Sequence, residues 1–234
     1  MLSFLWTYLW DLTLAPMLLV FTMPFHNVRW TQYVRYLMFD VFKIKLQLTS
    51  DAPLIETGYM LANHRSFTDL AFDPLLADSA GVGRHAAFFA LFWLSILAYG
   101  YPEHRVFSFN RGKEKRQELF QRIKKHLTLR SRILLFPEGT RLKYTQLSSP
   151  DEVKTYLKYG LLKEIYYDKT HPVQIQISSN KELVFNEKKL HIQYNVPVRT
   201  HRTKAIYPAN YKSEQDFYDA IAVEWYNAWV NTHT

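Results

Sequence analysis

The strongest constraint on the fold is an alternation of strand-like and helix-like segments that runs through most of the chain. The segment VFKIKLQL (41–48) has apolar residues at every second position, which is typical of a half-buried strand. TGYMLA (57–62) predicts a buried strand, and later segments carry apolar residues at helical spacing. Repeated strand–helix–strand units favour an α/β fold with a mixed, largely parallel central sheet flanked by helices.

The remaining elements are predicted in the same way. The further strands are expected at 85–90, 105–109, 132–136, 172–178 and 190–196. Helices are expected from Ser66 onward and at 91–100, 113–127, 151–167 and 213–230. The last helix should bury one face, formed by Phe217, Ile221, Trp225 and Trp229.

The N-terminus differs from the rest of the chain. Residues 2–25 contain no Lys, Arg or His and a single acid, Asp11, so the segment is long and apolar enough to span a bilayer. Pro16, Pro24 and the tryptophans around them favour a hairpin or helix that lies in the membrane interface. We therefore predict a membrane-anchoring helical segment at 1–38 and an α/β domain at 39–234. A transmembrane helix and a buried helix of a soluble protein are the alternatives.

The charge pattern bears on location and partners. The first cations after the anchor, Arg29, Arg35, Lys43 and Lys45, would place the body on the cytoplasmic side of a membrane if the anchor spans it. This membrane would be the endoplasmic reticulum in a eukaryote or the inner membrane in a bacterium. The net charge of +8 attracts polyanions. The chain lacks a nucleic-acid recognition motif, so we expect a membrane surface and phosphorylated small molecules, not nucleic acid, as partners.

The absence of cysteine restricts the possible chemistry. Disulfides, thiolate nucleophiles and cysteine-ligated metals are excluded by sequence. The histidines show no metal-ligand spacing, and we expect neither a metal nor a cofactor.

Polar residues gather after the predicted strands. Asn63 and His64 follow one strand, Arg111 follows another, and Glu138, Gly139, Thr140 and Arg141 follow a third. Because the carboxyl ends of parallel strands meet at one edge of a sheet, these residues should converge. They could bind a phosphorylated substrate beside a base.

The segment NHRSFTD (63–69) allows two interpretations. His64 and Asp69 could be a catalytic pair, whereas Ser66 and Asp69 fit the S-x-x-D pattern of a helix capping box. Spacing alone does not separate them. The pattern S-x-x-K at 178–181 is too short to interpret.

Two motifs carry a family resemblance. NHRSFTD resembles the N-H-x-x-x-x-D signature of the glycerolipid acyltransferases, and FPEGTR (136–141) resembles their second signature, in the expected order. VFSFNR (106–111) and the region of Lys158, Gly160 and Pro172 are similar to weaker family features. The sequence is most similar to the lysophosphatidic acid acyltransferase branch. The resemblance covers residues 40–200, although Arg105 stands where the family usually has a glycine.

The resemblance implies a reaction and a set of roles. An acyl group would pass from acyl-CoA, a co-substrate, to the free hydroxyl of a lysophospholipid, giving phosphatidic acid from lysophosphatidic acid. His64 would be the general base and Asp69 would orient it. Substrate would be bound by Asn63, Arg111, Glu138, Gly139, Thr140 and Arg141.

Other functions stay open at this level. A lysophospholipid remodelling enzyme or a CoA-independent transacylase would keep the same site and change the acceptor or the donor. A catalytically inactive membrane-binding protein on the same fold is the alternative outside the enzymes.

Overall fold

The computed structural model describes residues 2–22, 29–84, 96, 106–109, 116–127, 131–141, 146–186, 189 and 191–233. The helices are α1 (Leu2–Thr22), α2 (Trp30–Arg35, continuing as a π-helix over Tyr36–Val41), α3 (Asp69–Ala77), α4 (Arg116–Leu127), α5 (Pro150–Tyr156), α6 (Tyr159–Tyr167), α7 (Lys181–Val184) and α8 (Glu214–His233). The strands are β1 (Lys45–Leu48), β2 (Gly58–Ala62), β3 (Ala80–Arg84), β4 (Val106–Phe109), β5 (Arg132–Leu135), β6 (Val173–Ser178), β7 (Phe185–Asn186), β8 (His191–Ile192) and β9 (Pro197–Arg202).

The central sheet is mixed and largely parallel, as predicted. Within the described residues it has seven strands in the order β1-β9-β6-β2-β5-β3-β4. Strands β2 to β6 run in one direction, and β9 pairs with β6 in the opposite direction. β2 lies between β5 and β6, so the carboxyl ends of these three strands share one edge of the sheet.

Alternation along β2 divides the core between the two faces of the sheet. Tyr59 and Leu61 lie in the cluster that includes α8, whereas Met60 and Ala62 lie in a smaller cluster on the other face. All five residues of β2 are buried, as expected for a strand covered on both sides.

The predicted buried face of the last helix is confirmed. The α8 residues Phe217, Ile221, Trp225 and Trp229 are each at most 3% exposed and pack in the same cluster as β6. On α4, Ile123 and Leu127 are buried there too. Predicted strands at 105–109, 132–136 and 172–178 correspond to β4, β5 and β6.

Several predicted elements were wrong in their bounds. The strand at 41–48 is limited to β1, because Val41 ends the π-helix and Lys43 has a positive φ of 55° that turns the chain. The helix expected from Ser66 begins at Asp69. The helix at 151–167 is two helices, because Leu157 is extended and the Lys158 N–H donates to the Pro137 carbonyl (2.8 Å).

Three strands, β3, β7 and β9, were missed, and one was misplaced. The predicted strand at 190–196 contains only β8, which pairs with β7 as a two-stranded hairpin. The apolar alternation in residues 190–196 reflects the burial of Ile192 and Val196. A positive φ of 58° at Asn195 ends the extended backbone there. The strand that joins the central sheet in this region is β9, which was not predicted. The glycine-rich strand β3 of the same sheet was not predicted either. The predicted strand at 85–90 and, apart from Ile96, the predicted helix at 91–100 lie outside the described residues.

The N-terminal helix α1 has two distinct faces. Its 21 residues are long and apolar enough to cross a membrane. One face packs against the rest of the chain: Phe4 contacts Phe185 of the α/β domain with 4.7 Å between ring centroids, and the Asp11 carbonyl accepts a 2.5 Å hydrogen bond from the Tyr33 hydroxyl of α2. The opposite face exposes large apolar side chains, namely Leu2, Leu5, Trp6, Leu9, Trp10, Leu14, Leu18 and Phe21. An exposed apolar face on so long an apolar helix suggests membrane association.

Candidate active site

Asn63 fixes the chain as it leaves β2. Its Nδ2 donates to the Ser178 carbonyl at 2.9 Å, and its Oδ1 accepts from the Ser178 N–H at 3.0 Å. The side chain is fully buried, and its two hydrogen bonds join the carboxyl ends of β2 and β6. The position of the next residue, His64, depends on this pair of hydrogen bonds.

His64 and Asp69 form a hydrogen-bonded pair. The His64 Nδ1 lies 3.0 Å from the Asp69 Oδ2, and the imidazole stacks on Phe136 with 4.4 Å between ring centroids. Asp69 is fully buried, whereas 17% of the His64 side chain is exposed. With Nδ1 directed to the carboxylate, Nε2 is the ring nitrogen that could accept a proton from a substrate.

Asp69 also organises the backbone before α3. Its Oδ2 accepts from the Arg65 N–H and from the Ser66 N–H, the latter at 2.9 Å. The Ser66 bond is half of the capping box considered above, but Thr68 is the residue that precedes the helix and it makes no side-chain cap. The Asp69 carboxylate therefore bonds the backbone of the turn, as the capping interpretation expects, and also the His64 imidazole, as the catalytic interpretation expects.

Glu138 connects the two sequence motifs. It is fully buried, and its Oε2 accepts a 2.6 Å hydrogen bond from the His64 N–H. The loop after β5 thereby holds the loop after β2. This contact was not predicted, and a role of Glu138 toward substrate stays a prediction.

The rest of the second motif lies at the surface. Gly139 has a positive φ of 68° and donates its N–H to the Phe136 carbonyl at 3.0 Å, which forms a tight turn. Thr140 and Arg141 are exposed next to it. Arg111, the other predicted phosphate ligand, lies outside the described residues.

A buried lysine that the sequence analysis left uninterpreted lies beneath the pair. Lys181, 1% exposed, places its Nζ 2.5 Å from the Asp73 Oδ2, 2.7 Å from the Asn63 carbonyl oxygen and 3.5 Å from the Asp69 Oδ1. Asp73 is one helical turn beyond Asp69 and is fully buried. One ammonium group is thus shared by two carboxyl groups and a carbonyl.

The two carboxyl groups have different acidities. Burial raises the pKa of Asp73 to about 7, despite the opposing charge of Lys181. Burial acts on Asp69 too, but the charge of Lys181 and the hydrogen bond with His64 outweigh it and lower the pKa of Asp69. Near neutral pH, Asp69 is therefore the ionised partner of the imidazole.

This arrangement can remove a proton from a hydroxyl. An imidazole with one nitrogen on a buried carboxylate can act as a general base, because the carboxylate stabilises the imidazolium that forms. The cation of the second motif, Arg141, is exposed and lies three residues after Glu138 in the chain.

Two comparisons with known proteins gave a match, one to a protein family and one to a fold. Residues 43–158 match the family model Acyltransferase. In fold, the chain resembles the crystal structure of the 1-acyl-sn-glycerophosphate (LPA) acyltransferase PlsC from Thermotoga maritima, with a TM-score of 0.61 and 14% identity over 98% of this chain and 94% of that one. The comparison with curated proteins gave no match.

Asn63→Ala should lower the free energy of unfolding by about 2 kcal/mol, because it leaves the buried N–H and C=O of Ser178 without their side-chain partner. Denaturant titration of the detergent-solubilised protein measures this. Asn231→Ala is the matched control: its amide bonds a helix carbonyl at 2.9 Å at the surface, so the change should stay within about 0.5 kcal/mol. Equal losses in both variants would contradict the role given to Asn63.

Proposed function

Because this chain carries an acyltransferase domain at residues 43–158 and so belongs to that family, we propose that it transfers an acyl group from acyl-CoA to the free hydroxyl of a lysophospholipid, specifically lysophosphatidic acid. The observation that carries the proposal is the His64–Asp69 pair, at 3.0 Å and on a buried carboxylate. The Glu138 contact with the His64 N–H supports it, because it links both motifs in one site.

In the proposed reaction, His64 Nε2 takes the proton of the acceptor hydroxyl as its oxygen attacks the thioester carbonyl carbon. The C–S bond then breaks, and the imidazolium returns the proton to the departing coenzyme A thiolate. The products are the phospholipid ester and free coenzyme A. Asp69 accepts the Nδ1–H throughout, which fixes the tautomer and stabilises the imidazolium. The substrate hydroxyl is the nucleophile, so no acyl-enzyme is needed.

The acceptor phosphate would bind at the turn after β5. Arg141 is exposed there, and a guanidinium presents two N–H groups that match phosphate oxygens. Gly139 lets the backbone approach the phosphate closely, and the Thr140 hydroxyl adds a donor. Arg111 is the second cation proposed for the phosphate.

The anchor helix would deliver the lipid to this site. We propose that α1 lies in the interface of the membrane, with its exposed apolar face in the lipid and its Asp11 face packed on α2. Aromatic contacts connect this helix to the site. Phe4 packs on Phe185, and the ring centroids of Phe185 and Phe67 lie 5.9 Å apart. Phe67 is two residues before Asp69 in the chain. A lysophospholipid could then present its headgroup to His64 while its acyl chain stays in the bilayer.

His64→Ala should lower acyl transfer from labelled acyl-CoA to lysophosphatidic acid by about 100- to 10,000-fold, because the general base is lost. The assay uses purified, detergent-solubilised protein and a panel of lysophospholipid acceptors. Label in phosphatidic acid supports the proposal, and label in another lipid changes the acceptor while keeping the chemistry.

The chain offers a matched control for this variant. His171 also pairs with a carboxylate, since its Nδ1 lies 2.9 Å from the Asp168 Oδ2, but it precedes β6, at the opposite edge of the sheet. His171→Ala should keep the wild-type rate. Full activity of His64→Ala, or equal losses in the two variants, would refute the mechanism. Transfer from a phospholipid donor without coenzyme A would show a transacylase instead.

Arg141→Ala should raise the KM for lysophosphatidic acid by about 10- to 100-fold with little change in kcat, because a charge-assisted contact to the phosphate is lost. With monoacylglycerol, an acceptor that has no phosphate, the variant and the wild type should behave alike. Lys212→Ala removes an exposed cation from the loop before α8 and is the control. An equal effect on both acceptors would mean that Arg141 does not bind phosphate.

Trp6→Glu/Phe21→Glu should weaken binding to liposomes by about 100-fold or more, because it places charges on the apolar face of α1, where Trp6 and Phe21 are 67% and 66% exposed. Flotation with vesicles of phosphatidylcholine and phosphatidylglycerol measures binding. Tyr207→Glu changes an aromatic residue of the body that is 52% exposed, and it should leave binding unchanged. Unchanged flotation of the α1 variant would refute the anchor.

A further inference from the structure

Lys181 occupies a position that ordinary packing does not explain. It is 1% exposed, although lysine is among the residues that proteins bury least often. It belongs to α7, far along the chain from the His64–Asp69 pair, yet its Nζ reaches the Asn63 carbonyl and the Asp69 carboxylate. Asp69 is hydrogen-bonded to His64, the proposed general base, and Asn63 precedes His64 in the chain.

The charges around Asp69 come from four parts of the fold. His64 lies in the loop after β2, Asp73 lies on α3, Glu138 lies in the loop after β5, and Lys181 lies at the start of α7. Arg65 is directed elsewhere, since its guanidinium stacks on Trp229 at 4.8 Å. Among the described residues with a strong effect on Asp69, Lys181 is therefore the permanent positive charge.

We propose that Lys181 is a positioning residue for catalysis: it holds the Asp69 carboxylate against His64 Nδ1 by bonding Asp69, Asp73 and the Asn63 carbonyl at once. This inference rests on the proposed function, because it assigns Lys181 a role in the same acyl transfer. Lys181 acts through Asp69 and does not touch the substrate.

The geometry shows what the lysine contributes. Asp69 and Asp73 lie one helical turn apart, and both are fully buried. Two buried carboxylates repel each other, so without a cation they would share a proton. A protonated Asp69 would stabilise the imidazolium poorly. The burial of Lys181 is itself opposed by desolvation, but the charges of Asp69 and Asp73 raise its pKa, so it stays charged.

The test compares Lys181→Met with Asp73→Asn, since both remove one buried charge from the same cluster. Lys181→Met should lower kcat by about 10- to 100-fold, with KM for both substrates changed by less than about threefold. The acidic limb of its kcat/KM profile should move to higher pH by about 1–3 units, because loss of the cation favours proton uptake by the hydrogen-bonded His64–Asp69 pair. Asp73→Asn keeps that cation, so its acidic limb should not move upward.

A merely structural role predicts a different result. Both variants would then lose stability and activity together, and neither would move the acidic limb. That result, from folded protein, would overturn the proposal. If Lys181→Met does not fold, the double variant Asp73→Asn/Lys181→Met can replace it. It removes both charges, so that Asp69 no longer faces a second buried carboxylate without a cation. Its acidic limb should still lie above that of Asp73→Asn, and coincident limbs would overturn the proposal equally.

A readout without substrate separates this inference from the proposed function. In ¹³C-labelled protein, NMR titration of the Asp69 carboxyl carbon, assigned with Asp69→Asn, should show a midpoint about 1–3 pH units higher in Lys181→Met than in wild type. If wild type transfers no acyl group to any acceptor but this shift occurs, the proposed function fails and the positioning of Asp69 stands. If transfer occurs and the midpoint does not shift, the positioning role fails alone.

Discussion

The site depends on hydrogen bonds that satisfy the backbone as it leaves the buried strand β2. Peptide groups in such a place cannot reach water and need partners inside the protein. The Asn63 carbonyl accepts from Lys181, the His64 N–H donates to Glu138, and the N–H groups of Arg65 and Ser66 donate to Asp69. Side chains from three other places in the fold thus fix four consecutive residues. The imidazole is held in position because its own backbone is held.

The same contacts set the charge balance of the site. Asp69, Asp73 and Glu138 are fully buried, and Lys181 is the buried cation among them. The ionised Asp69 carboxylate favours the positive charge that His64 would acquire on taking a proton. Backbone N–H donors and the imidazole reach Asp69, so the two neighbouring carboxyl groups differ in acidity. This difference selects the carboxylate that would assist His64 in the proposed reaction.

Local patterns were enough to predict much of the fold and part of the site. The buried face of α8, the fully buried β2 and the convergence of the loops that carry His64 and Glu138 followed from periodicity and from the geometry of parallel strands, whereas the Glu138 contact with the His64 N–H did not. The strand β9 did not, because PVRTHR has no apolar alternation and exists through pairing with β1 and β6. Lys181 was also beyond local reasoning. Its position in the four-residue helix α7 resembles any surface lysine in sequence, and only the packed fold shows its burial.

The position of α1 adds a constraint on how a lipid acceptor would meet the base. Because Phe4, Phe185 and Phe67 are in successive contact, the anchor and the turn that holds Asp69 form one packed unit. The outer face of α1 is apolar, whereas the turn from Gly139 to Arg141 is polar and exposed. A lysophospholipid has the same two parts, an acyl chain and a charged headgroup. If α1 lies in the interface, the acceptor need not leave the bilayer to react, since only its headgroup and hydroxyl must reach the protein. The energetic cost of extracting the acyl chain, about 0.8 kcal/mol per methylene, is then avoided.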